Sequence, residues 1–173
     1  MVAKGYVAQG FLSRLRAETC SWVEGHTSDW GSTQLFSLNF KESSQGDAGF
    51  SIRLDERVAR REIELFCKRV DRAVYGRLVQ RFNRRVRRIP FLEFGHDRGW
   101  HAHVLMECPS AIAEVRFGQI VQKAWAESPW STNLHERMAD ERAPSYLTKD
   151  RSKAQMEAWV DTIVLEAVFV GTK

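Results

Sequence analysis

Alternating side chains over residues 100–108 constrain the fold of this chain more than any other segment does. The stretch places His101 and His103 two positions apart among Trp, Val, Leu and Met, a pattern that one helix face does not produce. In a β-strand, residues i and i+2 point to the same side of the sheet. We therefore predict a strand that presents both imidazoles on one surface. The residues of its other surface would face a core: Trp100, Ala102, Val104 and Met106.

A pair of imidazoles presented in this way commonly holds a divalent metal ion. The competing interpretation is a half-buried strand whose polar face carries two histidines, and the pair alone favours it. Residues 89–95 predict a second strand and residues 96–99 a turn, so the two strands would form a hairpin. Hairpin pairing would place Glu93 beside the histidines. Oxygen and nitrogen ligands of this kind suit Mg²⁺ or Mn²⁺ and would also accept Zn²⁺ or Co²⁺.

Three further polar residues belong to this hypothesis. Glu107 shares the odd-numbered face with the two histidines, so it is a candidate reserve ligand or a supporting contact to a ligand. Asn39 is a second candidate for such a supporting contact. His96 falls in the predicted turn and is either a substrate contact or a plain surface residue.

The remaining periodicities predict an α+β fold with a central antiparallel sheet of about five strands and flanking helices. Asp55 is a candidate N-cap for the most regular helix, which could end at Gly76. The alternation of strands and helices follows a split βαβ pattern. Strands are predicted at residues 34–40, 89–95, 100–108, 131–139 and 162–170. Helices are predicted at residues 11–23, 55–75, 109–128 and 144–159.

The charge distribution favours a nucleic-acid partner. The net charge is +4, and 19 of the 26 basic residues are arginine, whose planar fork suits phosphate groups and base edges. The same bias could reflect a GC-rich coding sequence. Residues 77–88 contain six arginines, and no acidic residue occurs between Asp71 and Glu93. A solvated surface usually mixes signs, so we predict that this block contacts an anionic backbone: Arg77, Arg81, Arg84, Arg85, Arg87 and Arg88.

Cysteine usage and hydropathy indicate the cellular environment in which we expect this chain. Cys20, Cys67 and Cys108 are odd in number and far apart, which argues against a zinc knuckle and against a disulfide scaffold. No apolar run has the length of a membrane span, and the first residues lack a signal peptide's apolar core. We expect a chain of 173 residues to form one domain, 1–173, in a cytoplasmic setting without a membrane partner.

A second candidate for chemistry follows at residues 145–149. Tyr146 and Lys149 are three positions apart and would share one face of a helix. A nearby cation or metal favours the phenolate form of a tyrosine, which can then act as a nucleophile. The alternative is an ordinary amphipathic helix with a half-buried tyrosine and a solvated lysine, and it is favoured when this pair is taken alone.

Three motifs in this order resemble those of the HUH endonucleases: Leu35-Phe-Ser-Leu-Asn39, then Glu93 with His101-Ala-His103, then Tyr146-Leu-Thr-Lys149. The branch that they resemble is that of the single-tyrosine rolling-circle replication initiators of plasmids, phages and small DNA viruses. The motifs span residues 34–149, so residues 1–33 would be an N-terminal extension. No motif is specific alone; order, spacing and predicted placement together make the resemblance. It implies an RRM-like or ferredoxin-like core.

The resemblance also implies roles for individual residues. His101 and His103 match the metal-binding histidine pair, and Glu93 the acidic third ligand of some branches. Tyr146 matches the nucleophile that cuts single-stranded DNA and retains the 5′ phosphate, and Lys149 the lysine that orients the metal or offsets developing charge. The metal implied is Mn²⁺ or Mg²⁺.

The implied partner is a single-stranded or hairpin DNA origin. No phosphate-binding loop of the P-loop kind occurs in the sequence, so a host helicase and polymerase would complete replication. Exposed aromatic residues such as Trp130 could stack on unpaired bases. If the chain came from a eukaryotic virus, we would expect it in the nucleus.

Two departures and two alternatives remain. Ala102 is smaller than the bulky residue often found between the histidines, which weakens local packing and leaves the ligand geometry intact. A two-tyrosine cycle is disfavoured, because Tyr6 and Tyr75 lie far from Tyr146 in sequence. The first alternative is a single-domain transposase or a relaxase that uses the same chemistry. The second is a catalytically inert nucleic-acid-binding module.

Overall fold

A four-stranded antiparallel sheet organises the part of the chain that the structure describes. The computed structural model describes residues 14, 17–45, 50–95 and 99–139. The sheet consists of β1 (Thr33–Phe40), β4 (Arg88–Gly95), β5 (Gly99–Glu107) and β6 (Ser131–Met138). A separate two-stranded sheet pairs β2 (Ser43–Gln45) with β3 (Ser51–Arg53). The helices are α1 (residues 17–27), α2 (Glu56–Tyr75), α3 (Leu78–Phe82) and α4 (Glu114–Ala126).

The strand order of the large sheet is β4-β5-β1-β6, and every neighbouring pair is antiparallel. Strands β1 and β4 are therefore parallel to each other and are separated by β5. Strands β5 and β6 are likewise parallel and are separated by β1. Each parallel pair is joined through a helix, α2 or α4, so the sheet contains two split βαβ units. This arrangement confirms the predicted α+β class and antiparallel sheet. The predicted fifth strand (162–170) and the helix at 144–159 lie outside the described residues.

One face of the sheet forms the main core with α2 and α4. Even-numbered residues of the strands, among them Phe36, Leu38 and Val104, are fully buried there together with Phe66 of α2. Trp125 of α4 meets the ring of Phe66 edge-on, with centroids 5.7 Å apart. The predicted inward face of residues 100–106 is confirmed: Ala102, Val104 and Met106 lie in this core and Trp100 packs against it.

The helix α2 has the boundaries that the sequence predicts. Its N-cap, Asp55, accepts a hydrogen bond from the backbone N–H of Val58 at 2.7 Å, which satisfies one of the free donors of the first turn. Its C-cap, Gly76, has φ of 53°, a conformation that costs glycine little. The α4 helix begins at Glu114, later than predicted. The intervening residues include a turn in which the N–H of Ile112 donates to the carbonyl of Pro109.

The opposite face of the sheet is apolar at one end and polar at the other. At the apolar end, Val23 of α1 packs on Leu35, Ile89, Phe91 and Leu105. Part of the predicted N-terminal extension is therefore packed on the sheet. The polar end carries the two histidines of β5, which face away from the main core because they alternate with its residues.

A buried ion pair joins α2 to the start of β4. Asp71 accepts hydrogen bonds from Arg88 at 2.7 and 2.8 Å, and both side chains are fully shielded from solvent. The same carboxylate accepts from the backbone N–H of Val86 at 2.9 Å and from Arg85 at 3.3 Å. The buried position of Arg88 differs from the prediction that it contacts DNA. Arg88 is therefore not available to contact DNA.

Trp130 also differs from its prediction. Its side chain is buried in the main core, with 7% of its surface exposed. Its backbone N–H donates a hydrogen bond to the hydroxyl of Ser128 at 3.1 Å. Trp130 therefore contributes to the packing of the main core, which also contains Trp125 and Phe40, and does not offer a surface for unpaired bases.

Within the described residues, no helix combines the length and the apolar character that crossing a membrane requires.

Replacing Asp71 tests whether the buried ion pair fixes β4. We expect Asp71→Ala to lower the free energy of unfolding by about 3–5 kcal/mol, because it leaves the Arg88 guanidinium buried without its counter-charge. Adding Arg88→Met should recover part of that loss. Glu64→Ala, which removes the exposed pair between Glu64 and Arg61, should cost less than about 1 kcal/mol. Urea denaturation measures the free energy of unfolding of each variant. Strictly additive effects of Asp71→Ala and Arg88→Met would contradict an interaction between the two side chains.

Candidate metal centre

The hairpin register brings three predicted ligands to one place on the polar half of the sheet. Glu93 of β4 is the direct cross-strand partner of His101 of β5, and Phe91 is the partner of His103. Because odd-numbered residues of both strands point to the same side, the carboxylate and both imidazoles share one surface. The strand alternation therefore assembles the set without any contribution from loop residues.

The donor atoms of these three side chains converge. The Nε2 atoms of His101 and His103 lie 3.1 and 3.8 Å from Oε2 of Glu93. One donor atom from each residue can be chosen so that all lie within 4.8 Å of one another. The imidazoles are buried, and the side chain of Glu93 keeps 24% of its surface exposed. Two nitrogen donors and one oxygen donor in this arrangement fit a divalent metal ion.

Hydrogen bonds on the far side of each ring orient the histidines. Nδ1 of His101 lies 3.2 Å from the carbonyl oxygen of Gly99. A carbonyl only accepts, so Nδ1 can donate to it and leave Nε2 directed at Glu93. Nε2 lies 3.1 Å from Oε2 of Glu93, a geometry that suits a proton shared by the two atoms or a metal ion that both ligate.

Ser37 of β1 orients the second ring and was not among the predicted site residues. Its hydroxyl lies 2.9 Å from Nδ1 of His103, and it is the cross-strand partner of His103 in the β1–β5 register. Partners of this kind fix the tautomer and the rotation of a ligating imidazole. The strand pattern of residues 34–40 placed Ser37 on the correct face, but only the β1–β5 register shows which histidine it meets.

The row of polar side chains continues onto β6. Ser37 is also paired with His135 in the β1–β6 register, and His135 is exposed. Asn39, the cross-strand partner of His101, donates its amide N–H to Oδ1 of Asn133 at 2.7 Å. Asn39 therefore lies beside the three ligands, and its amide is engaged with the edge strand. No sequence signal identified Asn133 or His135.

Glu107 lies at the other end of β5 and takes no part in this set. Its carboxylate accepts hydrogen bonds from Arg87 at 2.5 and 2.6 Å and from the backbone N–H of Gly31 at 2.8 Å. The bonds from Arg87 are the main reason that the pKa of Glu107 is held below its usual value. This position differs from the prediction of a reserve ligand, because Glu107 lies four positions along the strand from His103.

The arginine block divides into three environments. Arg88 is buried against Asp71, and Arg87 binds Glu107 and Asp29. Arg85 reaches both Asp71 and the side chain of Asn83. The remaining three are exposed: Arg77, Arg81 and Arg84. Tyr146, Lys149 and His96 lie outside the described residues.

Comparisons with known proteins give little. No protein-family model and no curated protein matches the chain. Among solved structures, the chain is similar to the N-terminal nuclease domain of non-structural protein 1 from minute virus of mice, with a TM-score of 0.34 and 14% identity over 82% of this chain. The chain spans 65% of that protein's length. That nuclease domain has an unusual Zn²⁺ coordination in its active-site pocket and recognises DNA at the origin of replication.

Removing the Ser37 hydroxyl tests its role in the centre. We expect Ser37→Ala to weaken binding of Mn²⁺ or Zn²⁺ by about 10–100-fold, because the His103 ring loses the contact that orients it. Calorimetric titration of the metal into apo protein measures the change. Ser44→Ala, a half-buried serine of the small sheet, is the matched control and should bind metal as the wild type does. Equal affinities for both variants would contradict the role.

Proposed function

We propose that this chain is a metal-dependent endonuclease that nicks and rejoins single-stranded DNA through a covalent bond to Tyr146. The observation that carries the proposal is the convergence of the donor atoms of Glu93, His101 and His103 on one face of the sheet. The tyrosine and its order after the histidine strand come from the sequence motifs.

Three side chains would hold the metal: Nε2 of His101, Nε2 of His103 and a carboxylate oxygen of Glu93. When bound, the metal supplies Lewis-acid polarisation of a phosphate oxygen. The protein residues account for the rest of the site. Gly99 and Ser37 hold the two rings so that both Nε2 atoms face the same point, and preorganisation of this kind avoids reorganisation during the reaction.

The proposed chemistry is a transesterification. The phenolate oxygen of Tyr146 attacks the scissile phosphorus, a bond forms between that oxygen and phosphorus, and the bond from phosphorus to the 3′ oxygen breaks. The phenol proton leaves to solvent or a base, and the departing 3′ oxygen takes up a proton. Lys149 would offset the charge that develops on the phosphate. One phosphate ester replaces another and no water is consumed. The free 3′ hydroxyl can therefore attack the phosphotyrosine and rejoin the strand.

The biological role proposed for this chemistry is initiation of rolling-circle replication of a plasmid, phage or virus. The free 3′ hydroxyl would prime synthesis by a host polymerase, and a host helicase would unwind the duplex. The chain would act as a single domain over residues 1–173 inside the cell, with a single-stranded or hairpin origin as its substrate. Mn²⁺ or Mg²⁺ is the proposed ion, and the same donor set accepts Zn²⁺.

The test of the nucleophile is a protein–DNA adduct assay. Wild-type protein incubated with single-stranded DNA and Mn²⁺ should yield a denaturation-resistant adduct in which the protein carries the 5′ end of the product. Tyr146→Phe should abolish the adduct, whereas Tyr6→Phe and Tyr75→Phe should retain it. Adduct formation by Tyr146→Phe at the wild-type level would rule out this mechanism.

The test of the metal centre uses the same assay after chelation. We expect EDTA to abolish nicking and added Mn²⁺ to restore it. His101→Ala and His103→Ala should lose activity and bind Mn²⁺ more weakly, because each removes one of three ligands. His135→Ala is the matched control, since His135 lies on the same face but outside the ligand set. Nicking that persists without metal would contradict the metal dependence, and equal Mn²⁺ binding by wild type and His101→Ala without any nicking would favour an inert binding module.

A further inference from the structure

A second surface with a distinct chemistry lies on and around the short helix α3. We call it the α3 patch and define it by five exposed residues: Arg72, Arg77, Arg81, Phe82 and Arg84. Within the described part of the chain, Arg72, Arg77 and Arg81 form no ion pair. The guanidinium of Arg84 lies over the ring of Tyr75, 5.2 Å from its centroid, which leaves its positive charge unneutralised.

Asp71, the acid nearest to the patch in the sequence, is already paired, and so are the two acids that bind the neighbouring Arg87. Asp71 is fully buried and bound to Arg88 and Arg85. Glu107 and Asp29 are both bound by Arg87. No further acidic residue occurs before Glu93. The α3 patch therefore keeps an uncompensated positive charge, and a concentration of one sign attracts a polyanion.

The first turns of α2 show what an ordinary charged surface of this protein looks like. Arg60 binds Glu56 at 2.7 Å, and Arg61 binds Glu64 at 3.1 Å. There, opposite charges alternate along the helix at the spacing that stabilises it. The patch lacks this pattern, although it begins in the last turn of the same helix. Its arginines contribute no such pairs to stability, which favours a role in binding.

Phe82 gives the patch a second chemical property. It is the last residue of α3, and 73% of its surface is exposed. The next residue, Asn83, has a left-handed backbone conformation with φ of 50° and ends the helix. An aromatic side chain exposed among arginines matches the combination by which proteins bind unpaired nucleic acid, with stacking on a base and ion pairing to phosphates. A fully paired duplex offers no base face along its length.

The α3 patch and the metal centre are built from different residues. The patch precedes β4, which begins at Arg88 and carries Glu93 five residues later. At roughly 3.3 Å per strand residue, this part of β4 spans about 17 Å. Because the two surfaces share no residue, they can be tested separately.

We propose that the α3 patch is a second DNA-contact surface, which holds the unpaired strand that flanks the cleaved bond. Arg72, Arg77, Arg81 and Arg84 contact phosphates, and the ring of Phe82 stacks on a base. Binding at the patch needs no metal. The inference rests on the proposed function only in naming the bound strand as the flank of a cleavage site.

The binding test uses metal-free protein in EDTA and a fluorescent single-stranded oligonucleotide, read by anisotropy across a salt series. Phe82→Ala should weaken binding by roughly tenfold or more with an unchanged salt slope, because stacking carries no charge. Phe82→Trp should restore affinity. The double variant Arg81→Ala with Arg84→Ala should reduce the slope of log K against log salt by about 1.4, at roughly 0.7 per phosphate contact. Arg61→Ala is the matched control and should leave both values unchanged.

The possible outcomes of this binding test lead to different conclusions about the patch. Wild-type affinity and slope in all patch variants overturn the proposal. If the arginine variants weaken binding to a duplex more than to a single strand and Phe82→Ala changes neither, the patch binds duplex DNA and the single-strand assignment is wrong. Circular dichroism checks that each variant is folded. Nicking of a short oligonucleotide confined to the cleaved bond should persist in the patch variants and fail in His101→Ala, so failure of the metal chemistry is distinguished from failure of this inference.

Discussion

The register between β4 and β5 is the constraint on which the candidate site depends. It pairs Glu93 with His101 and keeps His103 on the same surface. A slip by one residue would turn the whole polar set into the main core and bring the apolar set to the other face. The core residues Ala102, Val104 and Met106 therefore enforce the position of the ligands, because exposing them would cost a large part of the burial free energy.

The buried pair of Asp71 and Arg88 fixes the other end of the same hairpin. Arg88 is the first residue of β4, and Asp71 lies in the last turns of α2. Their bidentate contact, with the bond from Val86 to the same carboxylate, ties the start of β4 to the helix. A charge pair in this place has directional hydrogen bonds, which an apolar contact lacks. We infer that it limits sliding of β4 and so protects the register on which the ligands depend.

The arginine-rich segment shows how one compositional signal can serve several purposes. Arg88 and Arg87 stabilise the tertiary structure through Asp71, Glu107 and Asp29. The exposed arginines of the α3 patch remain available for a polyanion. What separates the two groups of arginines is burial and contact with acids that are distant in sequence. Asp29 and Glu107, for example, are 58 and 20 residues from Arg87. A run of like charges is thus a guide to binding only after its internal partners are known.

Local periodicity determined much of this protein. The alternation at residues 34–40 and 100–108 and the capped helix from Asp55 appear as predicted, because strand and helix geometry impose their periods on nearby residues. The same alternation placed Glu93, His101 and His103 on one face. The roles of Tyr146 and Lys149 remain predictions of the sequence.

Only the tertiary structure decided the partners of each side chain. It brought Ser37 to His103 through the β1–β5 register, held Glu107 with Arg87, buried Arg88 and Trp130, and left Phe82 exposed. Each of these depends on contacts between residues far apart in the chain. A period in the sequence tells which way a side chain points, whereas the packing of distant elements determines what it meets.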